Sequence, residues 1–182
     1  IMTLLGVIAL IFGILGVVLT TLQNIWCWPA ALISAVASVA EFYQQKLFGD
    51  MALQIFYCFA GIYGWVYWNK NKTQKFIIAK TESQKIPLLM AATILQATLY
   101  YVLLTKFKGD KPLFDAILTA ASLTATYMMT KKWLENWLVW VVIDGAYVLL
   151  YGIKHMWLFA LLYLVFSIIA FYGWIKWSKT VS

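Results

Sequence analysis

Asn136, Trp140, Asp144, Tyr147 and Tyr151 are spaced i, i+4, i+8, i+11 and i+15. At about 100° per residue of helix they share one face. That face offers an amide, an indole, a carboxylate and two phenols, a set suited to binding. The amide can pair with a carboxamide or a sugar hydroxyl. The rings can stack on a flat cation. Asp144 is the only acid well inside this apolar segment, about 12 Å of rise beyond Asn136. A carboxylate at such depth is costly, so it is expected to face a bundle interior or a water-filled cavity. There it either contacts a solute or its water, or makes a structural hydrogen bond to a neighbouring helix.

Two further faces match each other. Gln54, Tyr57, Gly61, Trp65 and Trp68 line one segment, and Tyr163, Phe166, Ala170, Trp174 and Trp177 occupy corresponding positions in another. Gln54 in an apolar helix needs a partner from protein, water or ligand. Trp68 and Trp177 lie near segment ends, where interfacial anchoring is expected. Gly61, Gly64 and Gly173 predict close helix approach. The face taken as equivalent to that of Asn136 reads Asn24, Trp28, Leu32, Ala35 and Val39. The Asn–Trp pair is kept there and the remainder is apolar. A symmetric water or ion channel has no need of that difference, whereas a site for one unsymmetrical solute does. The candidate substrate contacts are therefore Asn136, Trp140, Asp144, Tyr147, Tyr151, Asn24, Trp28, Gln54, Tyr57 and Tyr163.

Other chemistries find no support. His155 is the single histidine, so no histidine-rich metal site can form. There is no glycine-rich phosphate loop with lysine, and no nucleophile, base and orienter assemble around His155. Helix seven has no lysine before Lys176 for a retinal-type Schiff base. No cofactor is expected. The net charge of +7 comes from 14 lysines with no arginine. They sit between apolar segments and not on one soluble face, which argues against nucleic acid as a partner. Cys27 and Cys58 lie in apolar segments and read as reduced packing residues.

These faces need elements that cross a bilayer. The 182 residues are 64% hydrophobic and 12% charged, with no charge before Glu41. Spanning helices need about 20 mostly apolar residues each. The sequence predicts seven: 2–22, 26–45, 50–69, 86–105, 113–130, 134–154 and 157–177. Gln23-Asn24 with Pro29, then Gly49-Asp50, mark the first breaks. The polar stretch from Lys70 to Lys85 is the longest connection, and Lys106 to Pro112 closes helix four.

The chain repeats itself. Tyr63-Gly64-Trp65-Val66-Tyr67-Trp68-Asn69-Lys70 returns as Tyr172-Gly173-Trp174-Ile175-Lys176-Trp177-Ser178-Lys179. Asn24-x-x-x-Trp28 and Asn136-x-x-x-Trp140 open helices two and six, and Tyr43-x-x-Lys46 and Tyr151-x-x-Lys154 close them. The expected architecture is an all-α integral membrane protein of three, one and three helices. Residues 1–70 form the first repeat, 71–112 the polar loop and linker helix, and 113–182 the second repeat. A three-helix unit crosses an odd number of times, so one linker helix leaves both repeats parallel. Nine lysines lie on the side of loops 3–4 and 5–6 and the C-terminus, against five on the other. That bias places the N-terminus outside and the C-terminus in the cytoplasm.

The Asn-x-x-x-Trp openings, the run from Trp137 through Val141-Val142-Ile143-Asp144 to Tyr151-Gly152-Ile153-Lys154, and the paired Tyr-Gly-Trp-x-x-Trp endings resemble the Pnu family of bacterial vitamin transporters, in particular its nicotinamide riboside branch. The resemblance covers Asn24 to Lys70 and Trp133 to Lys179. It implies a SWEET-like three-one-three fold in the bacterial inner membrane, and facilitated diffusion of nicotinamide riboside followed by phosphorylation that traps the product. It also implies substrate contacts at Asn136 and Trp140. Thiamine, another cationic aromatic vitamin, fits the same composition. A proton-coupled symporter using Asp144 and a non-transporting scaffold or receptor are the rivals. A homo-oligomer is compatible with either.

Overall fold

The computed structural model describes residues 3–44, 48–71, 77–106, 112–153, 155 and 157–181. Lys46, Lys72, Lys75, Lys108, Lys111 and Lys154, which the sequence places in loops or at helix ends, lie outside these residues. Seven α-helices are present among the described residues: α1 Leu4–Thr21, α2 Cys27–Gln44, α3 Phe48–Lys70, α4 Ile86–Lys106, α5 Pro112–Thr130, α6 Asn136–Ile153 and α7 Trp157–Ser178. A 3₁₀ turn, Ser83–Lys85, leads into α4. Helix ends fall within two or three residues of expectation. Gly49 and Asp50 lie inside α3 and do not form a break, because the helix already begins at Phe48.

Helices are the economical answer for this composition, since they satisfy their own backbone groups where no water can. The segments Leu4–Thr21, Ser83–Lys106, Asn136–Ile153 and Phe159–Ser178 are long and apolar enough to cross a membrane. Large apolar side chains such as Leu88, Ile94, Leu95 and Leu99 of α4 and Leu161 and Ile168 of α7 are exposed. An apolar exterior of this extent suits lipid and not water. Pro29 sits in the first turn of α2, where its missing N–H breaks no helical bond.

The chain divides into two compact units, residues 1–76 and 77–182. In the first, α2 packs against both α1 and α3. Ser34 Oγ donates to the Ala9 carbonyl at 2.7 Å, and the Thr3 hydroxyl, which also caps α1, bonds the Glu41 carboxylate. In the second, α6 packs against α5 and α7, and α4 packs against α5. The Thr93 and Thr124 hydroxyls join α4 to α5 at 2.7 Å.

Each unit contains the same internal device. In the first, the Trp28 indole meets Trp68 edge-on at 5.5 Å and 89°. In the second, Trp137 meets Trp177 at 5.3 Å and 86°. All four rings are buried. Gly64 and Gly173 make the seat: a Cβ would lie 2.3 Å from Trp28 in one and 2.7 Å from Trp137 in the other. The preceding turns also agree. Gln23 and Lys132 both adopt φ 53°. Asn24 N–H reaches the Leu19 carbonyl at 2.9 Å, and Trp133 N–H the Met128 carbonyl at 3.0 Å. Every one of these pairs is 109 positions apart.

That common register corrects two expectations. Trp28 corresponds to Trp137, not Trp140, and Asn24 to Trp133, not Asn136. The Asn-x-x-x-Trp spacing recurs by coincidence of residue type, while the indole seated on glycine fixes the true alignment. Trp68 and Trp177, expected as interfacial anchors, are 3% and 0% exposed. Each is held by the edge of its partner indole.

Filling the seats should be costly. Gly173→Ala and Gly64→Ala each push a methyl group into a buried indole and should destabilise the protein by about 1–3 kcal/mol. Gly152→Ala, where a Cβ meets nothing within 4 Å, should be neutral or stabilising by up to about 1 kcal/mol. Thermal unfolding of the three variants in detergent distinguishes these outcomes.

Candidate functional site

The second unit carries most of the candidate residues. Asn136 is the first residue of α6 and is 0% exposed. Its side chain donates from Nδ2 to the Trp133 carbonyl at 2.6 Å. A carbonyl can only accept, so the amide NH₂ must face Trp133 and Oδ1 is turned the other way. Oδ1 is buried and has no hydrogen-bond partner among the described residues. An orphan acceptor of this kind costs free energy unless something donates to it. It suits a ligand N–H or O–H.

Further along α6, Asp144 is 6% exposed. Trp140 and Tyr147 are half-buried and pack around the cluster of Leu118, Ile143 and Ala125 on α5 and α6. Tyr147 and Tyr151 then turn towards α7. Tyr147 stacks on Tyr163 with centroids 4.5 Å apart, and Tyr151 lies 5.5 Å from the same ring. Tyr151 and Tyr147 are 6.0 Å apart, and Phe159 extends the stack at 5.3 Å from Tyr151. Two phenols of the α6 face are thus joined to Tyr163 of α7.

The first unit is different. Asn24 is exposed in the α1–α2 turn, where Oδ1 accepts from the Trp26 N–H at 3.0 Å. That is an Asx turn that shapes the chain entering α2. Trp28 is buried on its glycine seat. Gln54 and Tyr57 are half-buried on α3. In the common register the positions of Asn136, Trp140, Asp144, Tyr147 and Tyr151 hold Cys27, Ala31, Ala35, Ser38 and Phe42. Neither the amide nor the acid is kept, so the difference between the halves exceeds what the sequence spacing suggested.

One residue escaped sequence reasoning. Trp137 is 1% exposed, and its Nε1 has no hydrogen-bond partner among the described residues. The same holds for Nε1 of Trp28. The signal was present in the constant spacing to Tyr-Gly-Trp-x-x-Trp, but the Asn-x-x-x-Trp match concealed it. Among the described residues no group of three or more His, Cys, Asp or Glu could hold a metal ion. Neither Cys27 nor Cys58 forms a disulfide among the described residues.

Comparison with known proteins gives a consistent result. The family described as Nicotinamide mononucleotide transporter matches residues 3–179. The nicotinamide riboside transporter PnuC of Escherichia coli K12 is 25% identical over 93% of this chain and 83% of that protein. PnuC of Neisseria mucosa is 25% identical over 96% and 72%. The riboflavin/roseoflavin transporter RibM of Streptomyces davaonensis is 25% identical over 74% and 65%. The crystal structure of the vitamin B3 transporter PnuC shares the fold with a TM-score of 0.75, 23% identity, and coverage of 96% of this chain and 80% of that one.

The tyrosine stack should be worth measuring. Tyr163→Leu removes both stacked contacts, each worth about 0.5–1.5 kcal/mol, so the thermal midpoint in detergent should fall. Tyr163→Phe keeps the ring and should lose clearly less. Equal losses would assign the stability to the phenol oxygen.

Proposed function

The chain belongs to the nicotinamide mononucleotide transporter family, and from that premise we propose that it is a uniporter for nicotinamide riboside in a bacterial inner membrane. Transport is facilitated diffusion, and phosphorylation in the cytoplasm traps the product. Along the chain, α4 stands between the two three-helix repeats. The N-terminus is outside and the C-terminus is cytoplasmic, supported by the lysine bias between loops.

The observation that carries the substrate assignment is the buried, unpartnered Oδ1 of Asn136, on the helix that also bears Trp140 and Asp144. Oδ1 accepts from a carboxamide or ribose hydroxyl. Trp140 stacks on the pyridinium ring, and the Asp144 carboxylate complements its charge. The same residues disfavour a phosphate, because the chain has no arginine and Asp144 repels an anion. The riboside is therefore preferred over its mononucleotide. Tyr147, Tyr151 and Tyr163 of the second unit complete the proposed set.

A binding panel tests the assignment. Purified protein should bind nicotinamide riboside more tightly than thiamine or riboflavin, and at least ~100-fold more tightly than nicotinamide mononucleotide, about 2.7 kcal/mol. Trp140→Leu removes a desolvated cation–π contact of about 2 kcal/mol, or roughly 30-fold in affinity. Asn136→Ala should cost about 1–3 kcal/mol. Parent-like binding by both folded variants would move the site elsewhere.

Energy coupling is read separately. Liposomes containing the protein should equilibrate the riboside down its gradient, with the same rate whether or not a pH or sodium gradient is imposed. Accumulation against a gradient driven by protons, and lost in Asp144→Asn, would replace the uniporter by a symporter.

A further inference from the structure

The segment between α3 and α4 does more than connect. Residues 77–85 run along the α5–α6 turn of the second unit. Ala79 makes an isolated parallel bridge with Trp133: its N–H donates to the Lys132 carbonyl at 3.2 Å, and its carbonyl accepts from the Leu134 N–H at 2.9 Å. Ile78 beside it is 1% exposed. Two residues on, the Thr81 N–H and hydroxyl both donate to Glu135 Oε2, at 2.8 and 2.7 Å. Lys85 Nζ lies 5.3 Å from the centre of the Trp133 ring. Residues 132, 134 and 135 are thus gripped in succession, and the next residue is Asn136.

The grip converges on one peptide. The Trp133 carbonyl accepts the Nδ2 of Asn136, so the orientation of Oδ1 depends on where Trp133 is held. The strap fixes both flanks of Trp133. The first unit lacks the main anchor: Trp26 stands where Glu135 does and is 63% exposed.

We propose that Glu135, through its bonds to Thr81, is a positioning residue that sets the Asn136 acceptor for substrate, a role that rests on Asn136 being a substrate contact. The linker is then part of the binding machinery. Backbone bonds and one carboxylate replace what would otherwise be a free turn, and they reduce the ordering cost that substrate must meet. Glu135 does not touch substrate; it acts through Trp133 and Asn136.

The test is a double-mutant cycle on the full chain in detergent, read by riboside binding and by thermal unfolding. Glu135→Ala should raise Kd about tenfold, in keeping with the sensitivity of binding groups to small displacements. Glu135→Gln keeps an oxygen that accepts from both Thr81 donors and should bind within about twofold of the parent, which separates the strap from a charge effect at the α6 N-terminus. Thr81→Val, which loses one donor and keeps the shape, should fall between them and serves if Glu135→Ala does not fold. In the Asn136→Ala background, Glu135→Ala should add no further loss, because residues acting as a unit are not additive. Additive losses, or a lower unfolding temperature with Kd unchanged, would overturn the positioning role while leaving Asn136 as a contact. Unchanged binding in Asn136→Ala alone would overturn the contact and the positioning role together.

Discussion

Everything in this molecule hangs on an indole seated on a glycine. Trp28 over Gly64 and Trp137 over Gly173 bring α2 against α3 and α6 against α7 at distances no other residue at the glycine allows. Between apolar helices in lipid there is little hydrophobic drive to associate, so close packing must supply the attraction. A buried indole presents one of the largest surfaces available for that purpose. The second indole, Trp68 or Trp177, closes the seat edge-on. The seat fixes the rotation of the central helix, and that rotation decides which of its residues face inward.

Identical seats carry different contents. The register that superimposes the two seats puts Cys27 at the place of Asn136 and Ala35 at the place of Asp144. At the matching positions of the α6 face the first half holds cysteine, alanine, serine and phenylalanine, and the second an amide, an indole, a carboxylate and two phenols. Polar groups inside a membrane helix are expensive. This difference between matching positions is the asymmetry on which the proposed site rests. The linker adds to the asymmetry, because it ties the start of α6 through Thr81 and Glu135 while Asn24 of the first unit makes a turn of its own.

Much of this was legible in the residues. Apolar runs broken by glycine, proline and lysine gave seven helices with ends correct to a few residues, since helix boundaries follow local chemistry. The Tyr-Gly-Trp-x-x-Trp endings exposed the duplication, and the family followed from residue patterns that the comparison supports over residues 3–179. The pairing of Asn24 with Asn136 misled, because a motif of two residues four apart says nothing about which neighbour each ring meets. Trp68 and Trp177 likewise had the position of interfacial anchors and the burial of core residues.

The sequence by itself determined the class, the helices and the internal repeat, because hydropathy, helix periodicity and helix-ending residues act locally along the chain. Tertiary structure decided the register between the repeats, the burial of Trp137, the orphaned oxygen of Asn136 and the strap from Ala79 to Glu135. Each of these depends on groups far apart in sequence meeting at atomic distance. Thr81 and Glu135 are 54 positions apart, and nothing in the character of either residue announces the other.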